Sequence, residues 1–139
     1  MQGSETHAKI FSTLVPFNQA WAGKAHVLIL GVAMLKTAHG GKPNHYALYD
    51  LGQAVAQLTA QAHALGLATH SMGGFDHTAA RQAFGLTSDH ATGAVIALGY
   101  QGDPGALPVG ALLEREVAVR ERKPLSEIAL TELGVTLEF

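Results

Sequence analysis

The run His45-Tyr-Ala-Leu-Tyr-Asp-Leu-Gly-Gln-Ala-Val-Ala-Gln-Leu-Thr-Ala-Gln-Ala-His-Ala-Leu65, closed by Gly66, decides the fold class. At about 100° per residue, Asp50, Gln53, Gln57 and Gln61 fall on one narrow polar stripe. Leu48, Leu51, Val55, Leu58, Ala62 and Leu65 form a wide apolar stripe. This spacing predicts an amphipathic helix over 45–65, its apolar stripe on the core and Gly66 at its end. A third face carries Gly52, Ala56 and Ala60 four apart, a register that lets a second helix approach closely. Plain alanine helix propensity accounts for the same residues.

Working outward, Lys24-Ala-His-Val-Leu-Ile-Leu-Gly-Val-Ala33 is a near-continuous apolar run with β-branched residues. It predicts a strand covered on both faces. Leu67–Ser71 and Thr92–Tyr100 predict two more strands. His39-Gly-Gly-Lys-Pro-Asn44 is a loop, and Gly102-Asp-Pro-Gly105 a turn. Asp76 suits the N-cap of a short helix over 77–84, with Gly85 placed to end it. A strand–helix–strand unit with a further strand predicts an α/β or α+β class with a mixed sheet. No repeat or linker interrupts the chain, so residues 1–139 are expected to form one domain.

Composition narrows the function. Only 14% of the 139 residues are charged, against about a quarter in an ordinary soluble domain, so a second copy of the chain is expected to cover part of the surface. Nine basic residues against eleven acidic ones argue against a nucleic-acid binder. The absence of cysteine excludes disulfides, thiolate metal sites, iron–sulfur clusters and cysteine nucleophiles. From Leu51 to Phe75 there is no Asp, Glu, Lys or Arg, but three glutamines and two histidines break the stretch. A spanning helix needs about 20 predominantly apolar residues, so buried protein is expected and not a membrane segment. The first residues do not resemble a secretion signal, and a cytoplasmic protein is expected.

Two segments could carry chemistry. In His70-Ser-Met-Gly-Gly-Phe-Asp76, Gly73 and Gly74 would let the main chain pass close to a flat ligand, with their amides as donors. An ordinary turn meets the same pattern. Arg115, Arg120, Arg122 and Lys123 cluster ahead of Pro124, which favours extended backbone before it. There Arg120 and Arg122 point to one side, and paired guanidiniums suit a phosphate monoester. A solvated basic patch balanced by Glu114, Glu116, Glu121 and Glu127 is the alternative. The eight histidines lack the spacing of a helical zinc site, so no metal is expected. No nucleophile elbow, Walker loop or Gly-x-Gly-x-x-Gly fingerprint occurs.

In order, five strings resemble the C-terminal part of the nitroreductase family. They are Ala47-Leu-Tyr-Asp-Leu-Gly52, Gln61-Ala-His-Ala-Leu-Gly-Leu-Ala68, Met72-Gly-Gly-Phe-Asp76, Ala94-Val-Ile-Ala-Leu-Gly-Tyr100 and Arg120-x-Arg-Lys-Pro-Leu-Ser-Glu127. The resemblance runs over about 11–128. It implies an α+β fold with a nitroreductase-like mixed sheet and a long central helix at a homodimer interface. It also implies FMN in the interface clefts, with Met72, Gly73 and Gly74 beside the flavin ring and Arg120 and Arg122 on its phosphate. The implied activity passes hydride from NAD(P)H through FMN to a nitroaromatic, a quinone or a similar small acceptor. No catalytic side chain is required, because the flavin carries the chemistry. The family's arginine-rich opening and its Ser-x-x-Asn-x-Gln-Pro segment have no counterpart here. An N-terminally shortened member that holds FMN weakly or not at all is therefore expected, with a non-catalytic, ligand-binding dimer as the alternative. Phe17-Asn-Gln-Ala-Trp21 has the wrong spacing for that segment and matches the family's stretch just before the strand at His26.

Overall fold

The computed structural model describes residues 1–132, 135 and 136. Two compact units make up the chain, Met1–Asp103 and Pro104–Phe139.

In the first unit the order is α1 (Glu5–Thr13), α2 (Pro16–Ala22), β1 (Val27–Met34), α3 (Ala47–Ala64), β2 (Ala68–Met72), α4 (His77–Ala83) and β3 (His90–Gly99). The class is α+β. The sheet order is β1-β3-β2, with β3 antiparallel to both neighbours. The predicted strand–helix–strand unit is present as β1–α3–β2, and its two strands run the same way. They do not pair, however: β3 lies between them, so each described pairing is antiparallel where a mixed sheet was expected. The ten residues of β3 supply both ladders at the sheet centre, where Val95 and Ile96 are fully buried.

Alternation along the strands sends side chains to two differently covered faces. Leu28, Val95, Ala97 and Met72 face α1, α2 and α4, joining Ile10, Leu14, Ala22, Phe75 and Ala80 in the main core. Phe11, Trp21 and Phe84 pack at its margin. α3 crosses the other face. There a bulge sets Gly93 and Ala94 against Gly31, between the Leu30–Val95 and Val32–Thr92 pairs. Leu51 fills the space the glycines leave. Its Cδ1 would lie 3.4 Å from a Cβ on Gly31, and its Cδ2 2.7 Å from one on Gly93.

The long helix differs from expectation in one respect. Leu51, Val55, Leu58 and Ala62 turn inward, but Leu48 is 58% exposed and Leu65 is 65% exposed. Leu48 keeps the angle of the stripe, about 20° from Val55 around the axis, but stands in the first turn of α3, which starts at Ala47. Leu65 is the C-cap, past the last helical residue. Both therefore sit at the ends of α3 and stay exposed. Gly66 at φ +74° and Gly85 at φ +61° follow α3 and α4 in the left-handed conformation that glycine takes most easily. The predicted loop at 39–44 is the tip of a hairpin, in which Thr37 N donates to Lys42 O at 2.8 Å.

In the second unit a short 3₁₀ turn, Pro104–Ala106, precedes α5 (Ala111–Val117) and α6 (Leu125–Ile128). Strands β4 (Leu130–Glu132) and β5 (Val135–Thr136) pair antiparallel.

Candidate functional site

Met72-Gly-Gly-Phe-Asp76 leaves the end of β2 and becomes a strap fastened to the junction of α1 and α2. Met72 and Phe75 point inward, 2% and 5% exposed, and anchor it in the core. Thr13 O accepts from Asp76 N at 2.7 Å, and Leu14 and Phe75 form an isolated antiparallel bridge. Gly74 O accepts from Val15 N at 3.1 Å and from the Asn18 side-chain amide at 2.9 Å. The strap is thus held by main-chain and side-chain bonds to residues about sixty positions earlier.

Its two glycines are not equivalent. A Cβ at Gly73 would meet nothing within 4 Å, and Gly73 is exposed. At Gly74 a Cβ would stand 2.8 Å from Asn18 Nδ2 and 3.0 Å from Val15 Cγ2. Gly73 therefore presents bare main chain to the outside, while Gly74 lets the strap close onto α2. Val15, against Gly74, is 39% exposed, and Phe17 is 42% exposed.

Asp76 caps α4 as its residue type predicts, accepting from Thr78 N at 2.8 Å and Ala79 N at 3.0 Å. The His77 ring tilts over Phe75 with centroids 4.1 Å apart, and its Nδ1 is 2.6 Å from Thr92 Oγ1. The His70 ring meets Trp21 edge-on at 4.9 Å. These histidines are tied to separate neighbours, and no group of three or more His, Asp or Glu that could hold a metal occurs among the described residues.

The expected site residues are placed as follows. Met72 reaches the site through its main chain alone, because its side chain belongs to the core. Gly73 is open, and Gly74 is pinned. In the second unit, Arg120 and Arg122 lie between α5 and α6, outside any helix or strand, and both are exposed. Extended backbone brackets them at Ala118 (φ −64°, ψ 139°) and Pro124 (φ −60°, ψ 151°). Arg122 Nη1 donates to Glu121 O at 3.4 Å. The sequence did not single out Val15 or Asn18 as partners of the glycines. Asn18 sits in Phe17–Trp21, whose spacing does not fit the family's Ser-x-x-Asn-x-Gln-Pro segment, and no local pattern links it to residue 74.

The first unit is an α+β domain in which a glycine strap leaves one end of a three-stranded sheet. The chain belongs to the nitroreductase family, whose model matches residues 2–100. It is similar to a Mycolicibacterium smegmatis protein described as "Uncharacterized 15.4 kDa protein in ask 5'region". The two are 36% identical over 132 residues, 93% of this chain and 87% of that one. Among solved structures it is similar to an oxidoreductase containing FMN, with a TM-score of 0.85 and 32% identity over 94% of this chain. The chain spans 66% of that protein's length. A nitroreductase family protein of Clostridium difficile shares the fold, with a TM-score of 0.63, 22% identity, and coverage of 95% of this chain and 70% of that one. No helix among the described residues is long and apolar enough to cross a membrane.

Proposed function

We propose that the protein is a flavin oxidoreductase that binds FMN along the Gly73–Gly74 strap and passes hydride from NAD(P)H to a small acceptor. One observation carries this reading. The Met72–Asp76 string, which resembles the family's, is folded as a strap that at Gly73 exposes main chain with nothing within 4 Å of the Cβ position. A flat ring needs such a surface, and the partly exposed Val15 lies against the neighbouring glycine. The residues present therefore fit an isoalloxazine edge. When bound, FMN would supply the hydride chemistry.

The chain's own residues would hold and orient it. Main-chain N–H groups of the strap would meet the acceptor edge of the ring. Val15 and Phe17 would keep water from one side of it. Arg120 and Arg122 would take the phosphate, the role that the family resemblance gives them. We further propose a homodimer built on the outer face of α3. Gly52, Ala56 and Ala60 are exposed there, and Tyr46, Leu48 and Tyr49 are 70%, 58% and 66% exposed on the same element and its N-cap. A cytoplasmic location accords with NAD(P)H as reductant.

The absorption spectrum of the purified protein, before and after adding FMN, tests the cofactor. A flavin spectrum that NADH or NADPH bleaches anaerobically supports the oxidoreductase. A flavin spectrum that neither bleaches assigns the non-catalytic, ligand-binding role instead. No binding of FMN or riboflavin at high micromolar concentration overturns both.

A further inference from the structure

Both carbonyls of the glycine strap are engaged from within the protein. Gly73 O accepts from Phe75 N at 3.1 Å, closing a three-residue turn, and Gly74 O accepts from both Val15 N and Asn18 Nδ2. The Asn18 donor comes from a side chain only 9% exposed. A buried amide needs a partner, and Asn18 finds one in this carbonyl. The fit is mutual: any side chain at residue 74 would collide with Asn18 Nδ2. A peptide unit is planar, so fixing Gly74 O fixes the Phe75 N–H of the same unit, and that N–H in turn holds Gly73 O and so orients the Gly74 N–H.

We propose that Asn18 is a positioning residue for the strap. By holding Gly74 O inward it makes main-chain N–H groups, and not carbonyls, the polar groups that the strap offers a ligand. The ligand class this selects is a flat heteroaromatic ring with hydrogen-bond acceptors along one edge. Naming that ring a flavin rests on the functional reading above; the positioning role does not. Asn18 acts through the main chain. Without it the Gly74 carbonyl keeps only the bond from Val15 N and turns outward more readily, where it would oppose the acceptor edge. The loss falls on the ring, so FMN and riboflavin suffer alike.

The test uses the full chain with Asn18→Ala, Asn18→Asp and a control on the same helix, Gln19→Ala. Gln19 Nε2 donates to Phe11 O at 3.4 Å, away from the strap. In the first arm, without flavin, amide exchange is followed by NMR. In both Asn18 variants the Phe75 amide should exchange about tenfold faster or more, as expected when a local contact opens without global unfolding. The Gly73 and Gly74 signals should move, while Val95 and Ile96 in β3 keep their protection. Gln19→Ala should change none of these. In the second arm, both Asn18 variants should lose about five- to tenfold in affinity for FMN and riboflavin equally. The visible absorption of the bound ring should also change shape. Unchanged strap signals in both variants would overturn the proposal, as would loss of β3 protection in both, which would make Asn18 an ordinary core residue. If the wild-type chain binds neither FMN nor riboflavin, the flavin reading falls, and the exchange arm decides the positioning role by itself.

Discussion

Leu51 of α3 occupies the space that a side chain at Gly93 of β3 would need, its Cδ2 2.7 Å from the Cβ position. The helix rests on the bulge of the sheet at this point, and that contact sets how near the sheet the long helix lies. Gly93→Ala should therefore destabilise the protein by about 1–3 kcal/mol through overpacking. Leu51→Ala should relieve the crowding, so the double variant should be more stable than the sum of the two single losses predicts. A denaturant double-mutant cycle measures the coupling. Strict additivity would show that the two residues do not press on each other.

The strap glycines give a second contrast. Gly74→Ala should cost about 1–3 kcal/mol, because its Cβ meets Asn18 and Val15 too closely. Gly73→Ala should stay within about 0.5 kcal/mol of wild type, since that side is open. A bulkier Gly73→Val should keep the fold and weaken riboflavin binding. Denaturant midpoints and flavin titration separate the two effects.

Arg120→Ala and Arg122→Ala should each weaken FMN by about ten- to a hundredfold and leave riboflavin nearly unchanged. The missing charge-assisted bond acts on the phosphate alone. Arg115→Ala, outside the matching string, is the control and should not alter the FMN-to-riboflavin ratio. Added salt should narrow the difference. Equal loss of both ligands would assign the arginines to the fold.

Assembly should respond to position on α3. Ala56→Leu adds bulk to the small-residue face and should shift the dimer toward monomer. Gln57→Leu, one residue on and in the polar stripe, should disturb it less. Sedimentation across micromolar concentrations distinguishes them, and a well-folded wild-type monomer throughout that range would overturn the dimer.

Acid should act on the first helix. The Lys9 ammonium, bonded to Glu5 across 2.8 Å, holds the Glu5 carboxyl below its ordinary value. A carboxyl lowered on folding adds stability above its unfolded pKa, and that stability is lost as the pH falls through the folded value. Glu5→Gln should thus lower the melting temperature slightly near neutrality, and the difference from wild type should vanish in acid.

The sequence by itself located the five elements of the first unit from β1 to β3, while α1 and α2 were not among the expected elements. Periodicity located α3 to within two residues at its start and one at its end, apolar runs with β-branched residues located β1 and β3, the short stretch after Gly66 located β2, and Asp76 and Gly85 marked the ends of α4. These signals are local: each depends on neighbours within about one turn or one pleat. The inward stripe of α3 was legible at Leu51, Val55, Leu58 and Ala62, and failed at Leu48 and Leu65, at the margins where helix geometry alone does not say what lies opposite. Only the tertiary structure decided that β3 enters between β1 and β2, because strand order follows from which hydrophobic faces meet and not from any single strand. It also decided that the Met72 side chain belongs to the core and that Gly73 is open while Gly74 is closed. Two adjacent glycines are alike in sequence. They differ here because Asn18, 56 residues away, folds back onto one of them.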